Sequence, residues 1–155
     1  MRLQEAQKLA KQIVEQIFPH CERIEIAGSI RRRKVEIRDI DIVLLPKPFL
    51  WSRIIATLQR TMDAKVLKRG NSIAQLTIKG VNVDLYVASP ETYEPLILIR
   101  TGSMLSNIQL SKRALSMGMK LSHRGLIKNG RIIASTEKEI FEALGLSYVP
   151  PEERE

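Results

Sequence analysis

One cysteine, Cys21, stands in 155 residues, so no disulfide can form within the chain. There are two histidines, His20 and His123. Neither a Cys/His zinc site nor a Cys–His nucleophile pair has enough members, the neighbours His20 and Cys21 apart, and that pair reads as a helix-to-strand turn. Aromatic residues are only 5%, too few for a platform that stacks single-stranded bases. The longest apolar runs, such as "PLILI", are far too short to span a bilayer. The first residues, "MRLQEAQKLAKQ", are polar and periodic and do not read as a signal peptide, so an intracellular chain, cytoplasmic or nucleoid, is expected, with no membrane partner. From Pro95 to Thr136 there is no acidic residue at all.

What is present is an ordinary globular composition, 44% hydrophobic and 27% charged, with a formal charge of +8 and a pI near 9.9. Such a balance favours a polyanionic partner. The length suits one compact domain or two small lobes. No internal repeat or low-complexity segment is visible.

Leu3, Ala6, Leu9, Ile13, Val14 and Ile17 recur at helical spacing, which predicts a helix over 2–18 that Pro19 ends. "RIEIAG" and "DIDIVLL" read as strands, 50–62 as a helix, and "AKVLK", "IAQLTI" and "VNVDLYV" as three more strands, the last two a hairpin across "KG". Residues 91–100 look helical. "TGS" breaks that helix, and Ser103 can cap the next, which runs to about Met117. "LIKNGRIIA" is a hairpin. "TEKEIFEALG" is a helix with a Thr136–Glu139 capping box, and "PPEERE" is a polar tail. The order predicts an α+β lobe, a mixed sheet with two helices on one face, followed by a small helical lobe carrying a β-hairpin. The boundary falls near Pro90 to Gly102.

Two carboxylates stand inside the strand "RDIDIV". Side chains alternate along a strand, so Ile40, Ile42 and Leu44 share one face and Asp39 and Asp41 the other. In "VNVDLYV", Val81, Val83, Leu85 and Val87 oppose Asn82, Asp84 and Tyr86. If the strands neighbour one another, three aspartates converge on one open face. Their mutual repulsion raises their pKa values unless a counter-charge is present. Hard dications resolve this, since Mg²⁺ takes carboxylate oxygens and substrate phosphates. Two such ions about 3.5–4 Å apart can clamp an in-line phosphoryl displacement. The other reading is three solvated residues on a half-covered sheet. Just upstream, Gly28-Ser29 ends a strand where backbone N–H groups and a hydroxyl can meet a phosphate, and Arg31, Arg32, Arg33 and Lys34 follow.

Taken together, "GSIRRR…DIDIV…VDLYV" resembles the nucleotidyltransferase palm of the family X DNA polymerases, the group that includes polymerase beta. "RTGSMLSNIQLSKRALSMGMKLSHRGLI" and "TEKEIFEALGLSYVPPEERE" are similar to the thumb of its bacterial and archaeal members. The resemblance implies a palm over 1–92 and a thumb over 93–155. It implies catalytic and metal-binding roles for Asp39, Asp41 and Asp84 with two Mg²⁺ or Mn²⁺ ions, Asp84 nearest the primer 3′-hydroxyl. It implies nucleotide contacts at Gly28, Ser29, Arg32, Thr101, Gly102, Ser103 and Asn107. The activity implied is addition of dNMP from dNTP to a primer end in gap-filling repair, by a monomer acting on gapped or nicked DNA.

The chain departs from the family pattern at three places. Ile99-Arg100 replaces an aromatic pair, which bears on sugar discrimination. Ser111 replaces an arginine that reaches the templating side. Arg38 replaces a glycine before the first aspartate and is expected to supply an extra phosphate contact. The length leaves no room for the lyase domain, fingers or phosphatase domain of larger members, so a palm and thumb alone are expected. Arg100, Lys112, Arg113, Lys120, Arg124, Lys128 and Arg131, free of acidic neighbours, are expected to form the track for DNA. Other acceptors for the same palm are RNA, a protein hydroxyl, a small molecule or an untemplated DNA end. A DNA-binding scaffold with an idle site is the remaining class.

Overall fold

The computed structural model describes residues 1–155. Helix α1 (Leu3–Ile17) buries Ala6, Leu9, Ala10, Ile13 and Ile17 on one stripe. A 3-10 turn (Phe18–His20) containing Pro19 ends it and feeds strand β1 (Cys21–Ile26). A single helical turn, α2 (Gly28–Arg31), precedes β2 (Asp39–Pro46). Helix α3 (Trp51–Met62) closes with Asp63 in the left-handed region and leads to β3 (Lys65–Arg69), β4 (Ile73–Ile78) and β5 (Val81–Val87). Lys79 and Gly80 both have positive φ, as a two-residue hairpin turn requires.

The five strands form one mixed sheet in the order β1-β2-β5-β4-β3. Only the β2–β5 pair is parallel. The largest core lies between this sheet and the pair α1 and α3. It takes Ile40, Ile42 and Leu44 from β2, Ala74, Leu76 and Ile78 from β4, and Val83 and Leu85 from β5. The alternation expected for β2 and β5 is therefore the observed one.

Helix α4 (Tyr93–Thr101) and helix α5 (Met104–Ser116) follow, and Ser103 caps α5 by accepting from Ser106 N–H at 3.2 Å. Strands β6 (Lys120–Ser122), β7 (Gly125–Lys128) and β8 (Arg131–Ala134) make a three-stranded antiparallel sheet. The turn between β7 and β8 has Asn129 and Gly130 at positive φ. Helix α6 (Glu137–Ala143) opens with the Thr136–Glu139 capping box. Leu98, Leu110, Ala114, Leu126, Ile140, Phe141 and Leu144 are part of the core of this second half.

Three features differ from the sequence reading. Strand β6 pairs onto the predicted hairpin, and "KLS" is too short to show a period. The acid-bearing face of the large sheet is not fully open. Tyr93, Leu96 and Ile97 of α4 pack with Val43 and Tyr86 on that face and cover its far end. The C-terminal "PPEERE" is not a free polar tail. Arg154 is 1% exposed, because Glu137 lies 2.7 Å from its Nη1 and Phe141 and Tyr148 present their rings to it. A buried guanidinium needs such partners.

Candidate active site

The parallel pairing of β2 with β5 decides the site. Asp41 is the register partner of Asp84, and Asp39 that of Asn82. The two strands thus bring all three aspartates to neighbouring positions on the face opposite the main core. The Tyr86 hydroxyl reaches both Asp41 Oδ1, at 3.3 Å, and Asp84 Oδ2, at 3.5 Å. Asn82 Nδ2 stands 3.5 Å from Asp39 Oδ1.

Electrostatics follow from this crowding. Burial, with Asp84 and Asp39 adding repulsion, pushes the Asp41 carboxyl up to about 6, against a partial offset from the Tyr86 hydrogen bond. Burial and Asp39 also raise Asp84. The Tyr86 phenol is pushed up by its own burial and by the two acids. Burial and mutual repulsion, offset in part by Tyr86 and Arg100, thus disfavour the ionised form of these two acids.

On one side of the acids lies a cavity of about 310 Å³ lined by Ser29, Arg32, Lys34, Glu36, Arg38, Asp39 and Asp41. Four of these side chains are cationic or hydroxylic donors. Gly28 opens α2 with φ +61, and a Cβ there would come within 2.9 Å of Asp41 Cγ. Glycine is therefore required both by the backbone and by the space. Arg32 Nη1 donates to Thr101 O at 2.5 Å, which ties the residue after α2 to the end of α4. On the other side, Asp39 and Asp84 share a smaller cavity of about 220 Å³ with Leu67, Gln75, Leu76 and Asn82.

A third cavity, about 460 Å³, lies along α5 and is lined among others by Tyr86, Ile99, Arg100, Gly102 and Asn107. Gly102 has φ +70, and a Cβ there would stand 3.0 Å from Arg32 Nη1. Thr101 is fully buried, and its hydroxyl accepts from Arg31 Nη1 at 2.9 Å. Asn107 Nδ2 donates to Ile99 O at 2.9 Å, so part of its amide staples α5 to α4.

A sequence profile of the DNA polymerase beta thumb matches residues 96–155. The DNA polymerase/3′-5′ exonuclease PolX of Bacillus subtilis is 26% identical over 97% of this chain. The chain spans 28% of that protein's length. The Repair DNA polymerase X of African swine fever virus is 26% identical over 84% of this chain and 80% of its own. Among solved structures, Leishmania infantum polymerase beta in a ternary P/T complex superposes with a TM-score of 0.88. It covers 100% of this chain and 76% of that one at 19% identity, and a ternary gap complex of the same protein gives the same score. Over its second half by profile, and over most of its length at 26% identity, the chain is similar to DNA polymerases of the X type.

The positions at which this chain departs from that resemblance line two of the cavities. Ile99, Arg100 and Ser111 all line the 460 Å³ cavity, and Arg38 lines the 310 Å³ one. Arg100 lies over the Tyr86 ring, its guanidinium carbon 4.1 Å from the centroid. The basic residues of the second half lie in different surroundings. Lys112 lines the cavity beside Arg100. Lys120, Arg124, Lys128 and Arg131 are exposed on or beside the small sheet. Arg113 donates from Nε to Leu144 O at 2.9 Å and so links α5 to the end of α6.

Sequence reasoning missed two groups. Tyr86 shares a face with Asp84, two residues away, and that alternation was the available signal. The other group is Arg31 with Glu137 and Arg154. Arg31 Nη2 lies 2.6 Å from Glu137 Oε1, and Glu25 approaches Arg31 Nε at 3.5 Å. This network joins α2 to α6 and to the C-terminal segment, and no local pattern announces it.

Proposed function

We propose that the chain is a palm-and-thumb polymerase unit that adds dNMP from dNTP to a primer 3′-hydroxyl, in gap-filling repair synthesis. Residues 1–92 serve as palm and 93–155 as thumb. One observation carries this reading. Asp39, Asp41 and Asp84 stand between a donor-rich cavity and a second cavity that shares Asp39 and Asp84. An in-line displacement needs that arrangement, with the triphosphate on one side of the carboxylates and the attacking oxygen on the other.

The three acids fit divalent cations. They are ionisable oxygen donors, and burial with mutual repulsion raises Asp41 and Asp84, a cost that a bound cation would relieve. They do not close into a compact cage by themselves. Mg²⁺ or Mn²⁺ would have to complete its shell there with phosphate oxygens and water. Asp39 and Asp41 would hold both ions, and Asp84 would complete the shell nearest the primer. Bound there, the ions supply charge neutralisation at the reacting phosphate and lower the pKa of the attacking hydroxyl.

The chain's own residues position the rest. Ser29 and the α2 backbone, with Arg32 and Arg38, receive the triphosphate. Gly102, Ser103 and Asn107 border the sugar and base, and Thr101 holds the turn through Arg31 and Arg32. The primer oxygen attacks the α-phosphorus, the bond to the bridging oxygen breaks, and pyrophosphate leaves towards Arg32 and Arg38. Lys112, Lys120, Arg124, Lys128 and Arg131 follow the DNA backbone, as a surface of one charge sign does. The unit acts as a monomer inside the cell, and no helix in it is long and apolar enough to cross a membrane.

Extension of a labelled primer with each dNTP singly, with and without template, tests this reading. Addition of the complementary base only when the template is present is expected. Addition without a template would make the unit a terminal transferase, consistent with the short Ser111 in the base cavity. No addition to any DNA would move the acceptor to RNA, protein or a small molecule.

A further inference from the structure

We propose that Tyr86 is a positioning residue for the catalytic cation site, its hydroxyl bridging Asp41 and Asp84 so that each keeps one oxygen free for a divalent ion. This rests on the two-ion reading of the triad given above. The geometry is specific. The hydroxyl stands 3.3 Å from Asp41 Oδ1 and 3.5 Å from Asp84 Oδ2, within hydrogen-bond reach of each. A phenol carries one proton. It can donate to one carboxylate at a time, so the two acids share it, and it draws together two groups that otherwise repel. The remaining oxygen of Asp41, Oδ2, faces Gly28, and Asp41 itself lines the donor-rich cavity.

The ring is held for this task. Tyr86 is 9% exposed and packs with Val43, Ala88, Tyr93, Leu96 and Ile97. Arg100 covers its free face at 4.1 Å. A cation over the ring draws electron density from it and makes the O–H a better donor. The hydroxyl is the only polar atom of this side chain. Phenylalanine would keep the packing and the Arg100 stack and lose the bridge alone. Carboxylate ligands are oriented by such outer hydrogen bonds, and their removal typically weakens ion binding by about 10–100-fold.

The test is Mn²⁺ binding to Tyr86→Phe and wild type, read by the electron paramagnetic resonance of free Mn²⁺ and by calorimetry. Thermal stability and metal-free DNA binding serve as controls. The variant is expected to bind Mn²⁺ about 10–100-fold more weakly. Its melting temperature and DNA affinity should stay at wild-type values, and turnover should recover towards wild type as Mn²⁺ is raised to saturation. Equal or tighter Mn²⁺ binding by the variant, beside a wild type that binds, overturns this inference and leaves the polymerase reading standing. A turnover loss that saturating Mn²⁺ does not restore also overturns it, since the hydroxyl would then act in the chemistry. A wild type that binds no Mn²⁺ overturns the cation reading of the triad and this inference together.

Discussion

Asp41 and Asp84 are register partners on the one parallel strand pair of the sheet, and Asp41 is perturbed there by burial first and by repulsion from Asp84 second. Its carboxyl is pushed up to about 6, against an ordinary 3.8. Between those values the folded chain binds more protons than the unfolded one, so stability falls as pH rises through that window. Above about pH 6 the cost is complete. Asp41→Asn removes it, because an amide does not ionise. At ~1.4 kcal/mol per pKa unit the ceiling is about 3 kcal/mol, and about 1–2 kcal/mol is expected once solvent on the open side is allowed for. The variant should melt several degrees higher than wild type at pH 7–8 without metal. The gain should vanish below pH 4. Equal melting temperatures at pH 7 would contradict the proposed crowding.

Gly28→Ala addresses the same carboxylate from the opposite side. The new Cβ meets Asp41, and the residue must hold φ +61. A destabilisation of about 1–2 kcal/mol follows from the backbone alone. Displacement of Asp41 by a fraction of an ångström to 1 Å should lower turnover by up to ~100-fold. Single-turnover rates on a folded sample check this. A stable, fully active alanine variant would show that Asp41 can move without consequence.

Glu137→Ala leaves Arg154 buried without its anion and releases Arg31. Breaking one partner of a buried ion pair costs about 3–5 kcal/mol, and urea unfolding should show a loss of that size. Glu137→Gln should lose less, since its amide oxygen still accepts from one arginine. Arg31 also donates to Thr101, so the loss should extend to nucleotide binding. A loss under 1 kcal/mol would mean that the network adds little to holding the two halves together.

Much of this architecture was legible in advance because it rests on local patterns. The i, i+2 alternation of Ile40, Ile42 and Leu44 placed Asp39 and Asp41 on the other face. The glycines at 80 and 130 announced their hairpins. Thr136 and Glu139 announced a helix start. The parallel pairing that sets Asp41 against Asp84 joins residues 43 positions apart, and only the assumption that the strands were neighbours supplied it. Arg154 was unreadable for a different reason. In a run of charges a guanidinium reads as solvated, and its burial depends on Glu137 and on the rings of Phe141 and Tyr148, which the fold brings together. Helix α4 covering Tyr86 is likewise a tertiary fact.

On the proposed reading, the basic surface of the second half separates into residues that follow the DNA and one that builds the fold. Each phosphate contact removed should flatten the log–log salt dependence of DNA binding by about 0.9. Lys112→Ala with Lys128→Ala should therefore lower the slope by roughly 2. Arg113→Ala should leave the slope unchanged and reduce stability, because its Nε is committed to Leu144 O. Filter binding from 50 to 300 mM salt, alongside urea unfolding, distinguishes the two. The reverse pattern would place Arg113 on the DNA.

The central claim is metal-dependent nucleotidyl transfer at the aspartate cluster, and rapid-quench addition of one complementary dNMP to a gapped primer–template tests it most directly. Wild type and Asp84→Asn are compared, with Mg²⁺ present and absent, at protein concentrations where both bind the DNA. The account predicts product from wild type only with Mg²⁺, none from the variant, and equal DNA affinity for the two. Turnover retained by Asp84→Asn, or wild-type addition that does not need the metal, would contradict it.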